Sequence, residues 1–196
     1  MKQFDFSTTL PDWPALRQNI FAPISNAFTQ EEHLLPVSEL ELIGSFVQGL
    51  SMVVLDRARP VGHTRLLQLT TDASDDGAWY ELGSTWIHPE YTGQKLCTRM
   101  YQYFLPKHEQ KNILMTTTNP AMLAVGQKMG FIRVPRKALP KKVWQASCTC
   151  SHTKTGSQQN ARCMLADGES QHCFLKGACW FRITEQTAKR TRIGIV

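Results

Sequence analysis

The stretch that decides the fold runs from residue 86 to residue 131, and it opens on a turn. Residues 86–98 read Trp-Ile-His-Pro-Glu-Tyr-Thr-Gly-Gln-Lys-Leu-Cys-Thr. The segment that leads into this turn is dense in aromatic and β-branched residues, so it predicts a strand over 78–88 with Gly83 in its interior. The amphipathic run that follows predicts a helix over 94–105, closed by Pro106.

A second strand and a second helix complete the stretch. Residues 111–117 contain a continuous apolar run, which is typical of a strand buried on both faces. Asn119 is a natural N-cap, Pro120 fits the first helical position and Gly130 fits the stop, which predicts a helix over 120–129. Strand, turn, helix, strand, helix is the order of an open α/β sheet, in which ligands bind where a strand passes into a helix.

Segments on either side extend this sheet. Apolar positions over 14–28 have helical spacing, and Ser38 with Glu41 forms a capping box at the start of another helix. Apolar runs within 50–70 predict an antiparallel hairpin. After the central stretch come a strand at 131–134, a last strand at 179–184 and a basic tail from Lys189 that is predicted to fray.

The length and net charge of the chain limit the number of domains and the kind of ligand to expect. A chain of 196 residues is long enough for one domain with a substantial core, and its net charge of +6 favours an anionic ligand, substrate or partner. The N-terminus does not look like a signal peptide, and no run of about 18 apolar residues occurs. We therefore expect a cytoplasmic protein with no membrane contact.

The last quarter of the chain differs in composition from the rest. We predict an α/β core over 1–146, a polar insertion over 147–179, and the last strand with the basic tail over 180–196. The insertion carries five of the six cysteines and two histidines: Cys148, Cys150, His152, Cys163, His172, Cys173 and Cys179. These are enough ligands for one zinc ion, but the spacing matches no standard pairing, so scattered thiols are favoured and no metal ligand is assigned.

Residues 38–134, and most clearly 81–131, resemble the GNAT superfamily of acyl-CoA N-acyltransferases. The resemblance implies a single α/β domain whose mixed, centrally splayed sheet is flanked by helices. It also implies that acetyl-CoA, or another acyl-CoA, is the co-substrate. In that family the loop after the strand holds the cofactor pyrophosphate on backbone amides, and the cofactor-binding residues implied here are Trp86, Ile87, His88, Thr92, Gly93, Gln94, Lys95, Leu96, Cys97, Thr98 and Asn119.

The sequence departs from the family pattern at two places, in the loop that binds the cofactor and at the position of the general acid. Family members usually carry Arg or Gln, Gly, and Gly or Ala at the loop positions held here by Thr92, Lys95 and Cys97. Lys95 either narrows the amide cradle or replaces part of the phosphate binding with its ammonium. Gly126 stands where many members have a tyrosine that protonates the leaving thiolate, and three tyrosines are substitutes to consider: Tyr91, Tyr101 and Tyr103.

Glu81 aligns with a strand glutamate that often serves as general base in the family, and His88 is the alternative base. The resemblance implies transfer of an acyl group, most simply acetyl, to a primary amine of a small molecule or peptide. Backbone N–H groups of the strand over 86–88 would polarise the thioester carbonyl.

The departures leave a different class of function open, namely a GNAT-like binding module for nucleic acid or a protein. A third alternative is an acyltransferase that acts on nucleic acid, which would account for both the positive charge and a retained transfer reaction. The basic run over 133–142 is either a solvated face or a site for nucleic acid or the cofactor's 3′-phosphate, with Trp144 as a stacking surface. The oligomeric state stays open, with a dimer as one option.

Overall fold

A computed structural model describes the following residues: 4–9, 17–31, 34, 36–71, 77–117, 119–134, 138–147 and 180–193. The chain divides into two compact units. The first comprises Met1–Leu67 and Leu82–Gln110, and the second comprises Gln68–Glu81 and Lys111–Val196.

The first unit is an antiparallel sheet with helices. Its strands are β1 (Asp5–Ser7), β2 (Ser51–Asp56), β3 (Arg59–Gln68, with its last residue in the second unit) and the later part of β4 (Trp79–Ile87). Its helices are α1 (Ala22–Gln30), which follows a π-helical turn at Arg17–Phe21, α2 (Glu39–Val47) and α3 (Leu96–Phe104). β2 pairs antiparallel with β1 and with β3, as the predicted hairpin requires.

Local signals explain where the helices of the first unit begin. Pro23 lies in the first turn of α1, where the missing N–H has no helical acceptor to lose. At α2 the predicted capping box is present, because the Ser38 side chain accepts from Glu41 N–H and the Glu41 carboxylate accepts from Ser38 N–H at 2.9 Å. The two helices pack on the sheet through a core of Ile20, Phe21, Ile24, Phe28, Val37, Leu42, Phe46, Val53, Leu55 and Trp86.

The second unit carries the parallel part of the sheet. Its elements are the start of β4, β5 (Asn112–Thr117), α4 (Pro120–Lys128), β6 (Phe131–Arg133), α5 (Lys141–Ser147), β7 (Trp180–Thr184) and α6 (Glu185–Thr191). β4 runs parallel to β5 over three residue pairs only, the last of which joins Glu81 to Leu114. β7 lies between β5 and β6 and is antiparallel to both. The strand order β1-β2-β3-β4-β5-β7-β6 confirms the predicted mixed α/β sheet, and the short parallel pairing agrees with the predicted splay.

The prediction of a frayed basic tail is wrong up to Thr191. Thr184 caps α6 by accepting from Thr187 N–H at 3.1 Å, and Arg190 donates to the Asn112 side chain at 2.7 Å. These two contacts anchor a helix that its own polar sequence did not predict. β1 and α5 were likewise not predicted.

The Cys- and His-containing insertion lies outside the described residues, apart from Ser147, so the question of zinc stays a prediction. Within the described part of the chain, no group of three or more His, Cys, Asp or Glu side chains is arranged to hold a metal ion. No helix in that part is long and apolar enough to span a membrane.

Candidate functional site

The turn after β4 is fixed to the neighbouring hairpin. Residues Pro89–Tyr91 form one 3₁₀ turn, and His88, which precedes it, donates its backbone N–H to Val61 O at 2.9 Å. The Tyr91 ring is buried, and its hydroxyl donates to the Asp56 carboxylate at 2.6 Å. The start of the loop is therefore held from both its backbone and a side chain.

The hydrogen bond of His88 corrects one prediction. Its N–H cannot polarise a thioester carbonyl, because Val61 O already accepts it. Successive N–H groups of a strand point to opposite edges, so the Trp86 N–H also points toward β3, whereas the Ile87 N–H points away from it. Of the three predicted donors, Ile87 is the one that the strand geometry leaves available.

The loop itself contains two residues in the left-handed conformation. Gly93 has a φ of +79° and Lys95 a φ of +57°. A Cβ built on Gly93 would meet nothing within 4 Å, so at this glycine only the backbone conformation, and not the space, limits the residue type. Lys95 adopts the same region, which is less favourable than the right-handed region by about 1 kcal/mol or more for a residue with a Cβ.

Helix α3 then begins without a side-chain cap. The first N–H with an acceptor inside the helix is that of Arg99, which donates to Lys95 O at 3.1 Å. The N–H groups of Leu96 and Thr98 have no acceptor among the described residues, and the exposed Lys95 side chain stands at the same end. Uncapped N–H groups, the helix dipole and an ammonium together suit a phosphate.

Cys97 lies in the first turn of α3, but its chemistry is suppressed. Burial raises the pKa of its thiol to about 12, which outweighs the lowering expected at a helix start. The Cys97 thiol is therefore protonated at neutral pH, which is unfavourable for a nucleophile.

The tyrosines proposed as substitute acids are each committed to another contact. The Tyr101 hydroxyl is buried and bonds the Thr85 hydroxyl at 2.8 Å, and burial raises its pKa. The hydrogen bond to Asp56 raises the pKa of Tyr91. Tyr103 is exposed on the outer side of α3, where the Lys107 ammonium lies 4.1 Å from its ring centre.

A strained residue interrupts β4 at Ser84, whose φ is +47°. The His63 ring contacts Ser84 O at 3.0 Å through Nδ1, and Arg65 Nε donates to Ser84 Oγ at 2.9 Å. Between them, the Thr64 hydroxyl bonds the Thr85 hydroxyl at 3.0 Å. Three successive residues of β3 thus hold the irregular part of β4.

The sequence interpretation missed this cluster. Its signal is the run of polar residues at 63–65 within a strand whose other positions are largely apolar. His63 is fully buried, and burial lowers its pKa to about 4, so the ring is neutral and donates from Nδ1.

The His88 side chain is occupied. Arg59 Nη2 lies 2.7 Å from His88 Nε2, and because a guanidinium can only donate, Nε2 is the acceptor. Arg59 also forms an ion pair with Glu90 at 3.0 Å. His88 can act as a base only if this contact with Arg59 opens.

Trp86 is 6% exposed, and it is one of the residues that line a cleft of about 540 Å³ beside α1. Residues of α1 and the ends of β3 and β4 line it, among them Asn26, Glu31, Arg59 and His88. Because the Trp86 side chain packs in the core of the first unit, contact of Trp86 with a ligand in the loop would use its backbone.

Glu81 lies in the second unit, on β4. The Thr116 hydroxyl donates to its carboxylate, and Ser147 lies near enough to influence it. Burial raises the pKa of Glu81, and the two hydroxyls oppose that rise. A desolvated carboxylate with a raised pKa accepts a proton more readily than an exposed one, which is the property required of a general base.

Helix α4 provides the remaining predicted residue. Asn119 caps it, with Oδ1 accepting from Ala121 N–H at 2.9 Å, which leaves the amide NH₂ as a donor for a ligand. Further along, the position of a Cβ on Gly126 is occupied by the methyl group of Met115. That methyl group is the end of a flexible side chain, so Met115 fills the space beside Gly126 and would have to shift to admit a larger residue.

Comparison with known families gives the decisive observation: the model of the acetyltransferase (GNAT) family matches residues 14–131. The chain belongs to the GNAT family. It is therefore an acyl-CoA-dependent N-acyltransferase with acyl-CoA as co-substrate, which confirms the family, enzyme class and cofactor that the sequence predicted. The curated proteins searched contain no significant match.

Solved structures agree on the GNAT fold. The NatC complex bound to Gag peptide and CoA superposes with a TM-score of 0.54 at 16% identity, covering 68% of this chain and 87% of that one. A GNAT acetyltransferase from Streptococcus pneumoniae has a TM-score of 0.54 at 12% identity, with the same coverage of 68% and 87%. One from Brucella melitensis, in complex with acetyl-CoA, has a TM-score of 0.51 at 13% identity and coverage of 67% and 84%.

Within the GNAT family this loop is unusual. The start of α3 has no side-chain cap, and Lys95 adopts the left-handed conformation at a position usually held by glycine. Gly126 stands where many members carry a tyrosine, and the Met115 methyl group occupies the space beside it. The roles of the predicted site residues stay predictions.

Proposed function

We propose that the chain transfers an acetyl group from acetyl-CoA to a primary amine, with Glu81 as the general base. The observation that carries this proposal is the start of α3, where uncapped N–H groups and Lys95 stand together at the end of the loop that follows β4 and suit an anion. We assign the pyrophosphate of the co-substrate to this loop. A structural relative from Brucella melitensis is described in complex with acetyl-CoA, which supports the choice of acyl group.

The proposed chemistry follows from the residues present. Glu81, directly or through a water molecule, accepts a proton from the acceptor ammonium, and the amine nitrogen forms a bond to the acetyl carbon. The carbon–sulfur bond then breaks, the nitrogen loses its second proton to solvent as the amide forms, and the CoA thiolate takes up a proton from solvent, so that one proton is released overall. We propose that the N–H of Ile87 stabilises the developing oxyanion.

The first experiment tests where the co-substrate binds. Acetyl-CoA binding is measured by calorimetry for the native chain and for Gly93→Trp. We expect the native chain to bind and Gly93→Trp to bind at least about tenfold more weakly, because the indole would cover the N–H groups. Gly49→Trp is the matched control, since Gly49 has a similar φ of +67° and equally open space but lies at the end of α2.

Equal loss in both variants would attribute the effect to backbone strain and would refute the assignment to the loop. Lys95→Gly separates the two roles of Lys95. Weaker binding of acetyl-CoA shows that the ammonium contributes to phosphate binding, whereas stronger binding shows that the side chain obstructs the loop.

The second experiment tests the base. Acetyl transfer to a panel of primary amines and peptides is followed by release of free thiol, for the native chain and Glu81→Gln. We expect kcat to fall by about 10²- to 10⁴-fold in Glu81→Gln while acetyl-CoA binding persists. Retention of native kcat, with an intact fold by circular dichroism, would show that Glu81 is not the base.

A further inference from the structure

Strand β4 contains one residue more than the stretch of chain that pairs with it. At one end of the pairing, Leu69 N–H donates to Trp79 O at 2.8 Å. At the other end, His88 N–H donates to Val61 O at 2.9 Å. Between these two hydrogen bonds the chain advances by eight residues on the β3 side and by nine on β4, which makes a β-bulge. Ser84, with a φ of +47°, marks the place of the bulge.

The bulge decides which edge of β4 the Ile87 N–H faces. In a regular strand, the N–H and C=O of one residue point to the same edge, and the edge alternates from each residue to the next. Trp79 directs its C=O to the β3 side, so an uninterrupted strand would direct the Ile87 N–H to β3 as well. The extra residue reverses the alternation, and His88 bonds to β3 in place of Ile87. The availability of the Ile87 N–H therefore depends on the bulge.

The conformation of Ser84 is unfavourable by itself and is held by two side chains. The left-handed region costs free energy for any residue with a Cβ, so surrounding contacts must maintain it. The His63 ring donates from Nδ1 to Ser84 O at 3.0 Å, and Arg65 Nε donates to Ser84 Oγ at 2.9 Å. His63 is fully buried and Arg65 is 8% exposed, so both hydrogen bonds are shielded from water.

The cofactor loop has anchors of its own. The His88 N–H bonds to Val61 O, and the Tyr91 hydroxyl bonds to the Asp56 carboxylate at 2.6 Å. Neither hydrogen bond involves the two side chains that hold Ser84. Loss of one contact at Ser84 therefore leaves the loop anchored and changes the geometry of the strand that precedes it.

We propose that His63 and Arg65 are positioning residues of the transfer reaction. They hold Ser84 in the left-handed conformation and thereby direct the Ile87 N–H toward the thioester carbonyl. This inference rests on the proposed function, in which the Ile87 N–H is the oxyanion donor. Both side chains act through the backbone of β4, and neither is assigned a contact with the substrate.

Matched substitutions separate the hydrogen bond from the other properties of each side chain. At the position that Nε occupies in arginine, glutamine has an amide nitrogen and methionine a methyl group. Asparagine and leucine stand in the same relation to Nδ1 of histidine. Arg65→Gln and His63→Asn therefore keep a donor toward Ser84, whereas Arg65→Met and His63→Leu remove it. Leu42→Ala controls for lost stability, because Leu42 is fully buried on α2 in the core of the same unit.

The first measurement needs no acceptor amine. Acetyl-CoA labelled with ¹³C at the thioester carbonyl is bound to each protein, and its carbonyl resonance is followed by nuclear magnetic resonance. We expect binding to the native chain to move the resonance downfield, because a hydrogen bond from the Ile87 N–H polarises the carbonyl. The shift should persist in Arg65→Gln, His63→Asn and Leu42→Ala. It should fall by about half or more in Arg65→Met and His63→Leu.

The second measurement is the kinetics of acetyl transfer to the panel of amines. We expect kcat to fall by about 10- to 100-fold in Arg65→Met and His63→Leu, because a displaced oxyanion donor loses much of its effect. The KM for acetyl-CoA should stay within about threefold, since the loop keeps its anchors. Arg65→Gln and His63→Asn should keep kcat within about fivefold, and Leu42→Ala within about twofold.

A double substitution tests whether Arg65 acts through the conformation of Ser84. Glycine adopts positive φ without strain, so Ser84→Gly removes the need for a side chain that holds the bulge. The loss of kcat caused by Arg65→Met should therefore be at least about fivefold smaller in the Ser84→Gly background than in the native chain.

Several results would overturn the proposal. They are an unshifted carbonyl resonance in the native chain, equal effects of Arg65→Met and Arg65→Gln, or the same loss from Arg65→Met in both backgrounds. A loss of kcat in Leu42→Ala as large as that in Arg65→Met would attribute the effect to stability and refute the positioning role. If His63→Leu does not fold, the Arg65 variants decide.

Failure of the proposed function has a different outcome. If no amine of the panel is acetylated, the proposed transfer fails as stated, and the carbonyl resonance decides on the positioning residues. A shift that is lost in Arg65→Met and kept in Arg65→Gln supports their role, and a shift that is equal in the two variants refutes it.

Discussion

Acidification is expected to destabilise the protein through His63, which is fully buried beside Ser84. Burial is the main reason that its pKa falls from an ordinary 6.5 to about 4, and the charge of Arg65 adds to the effect. The hydrogen bond to Ser84 O opposes the fall without cancelling it. The Phe28 ring packs against the imidazole at 5.5 Å between ring centres, so water cannot easily solvate a charged ring.

The direction in which stability changes with pH follows from the number of protons bound to the folded and unfolded states. Below pH 6.5 the imidazole of the unfolded chain takes up a proton, whereas the folded chain resists protonation until about pH 4. In this window the unfolded state binds more protons, so the free energy of unfolding decreases as the pH falls. The difference in pKa between the unfolded and folded states lowers the free energy of unfolding by roughly 3 kcal/mol once the pH is below both pKa values. Between pH 7 and pH 5 the loss is about 2 kcal/mol.

The assay is urea unfolding of the native chain and of His63→Asn at pH 7, 6 and 5, followed by tryptophan fluorescence. Asparagine keeps a donor toward Ser84 O but does not titrate in this range. We expect the native chain to lose about 2 kcal/mol more than the variant between pH 7 and pH 5. Glu41, whose pKa is lowered mainly by its hydrogen bonds to Ser38, loses its contribution at lower pH and equally in both proteins. Parallel losses in the two proteins would refute the argument.

Three further predictions concern single side chains. Thr116→Val removes the hydroxyl that helps to lower the pKa of Glu81, so the acidic limb of the kcat/KM profile should move to higher pH; a shift to lower pH would contradict this. Cys97, with a thiol pKa of about 12, should be alkylated by iodoacetamide at pH 8 at least about tenfold more slowly in the folded chain than in urea, measured on its own peptide by mass spectrometry. Ser38→Ala should lower the free energy of unfolding by about 1 kcal/mol through loss of the capping box, and no change in urea unfolding would show that the cap contributes little.

The parts of the fold that the sequence predicted well are specified by contacts within one turn of the chain. The capping box of Ser38 and the Asn119 cap followed by Pro120 each involve residues at most three positions apart. They can therefore be recognised in the sequence without knowledge of the tertiary structure. β1 has only three residues and exists because β2 pairs with it. Helix α6 depends on the contact of Arg190 with Asn112, residues 78 positions apart, which no local pattern shows.

The same distinction applies to the candidate site. The loop of residues 92–98 was predictable because its residues are consecutive and resemble a family motif. The support of Ser84 by His63 and Arg65 joins two strands about 20 residues apart, and it depends on the irregularity at Ser84, so only the polar run itself hinted at it. Likewise, the engagement of His88 by Val61 and Arg59 required the register of β3 and β4.

The packing of Met115 against Gly126 also limits how this enzyme could have changed over evolution. A tyrosine restored at residue 126 would have to displace the flexible end of Met115, and a shorter residue at 115 without that tyrosine would leave a void beneath α4. The pair of changes is therefore better tolerated than the change at residue 115 alone. The two positions are expected to change together among descendants of this protein, and Gly126→Tyr is expected to be accommodated best together with Met115→Ala.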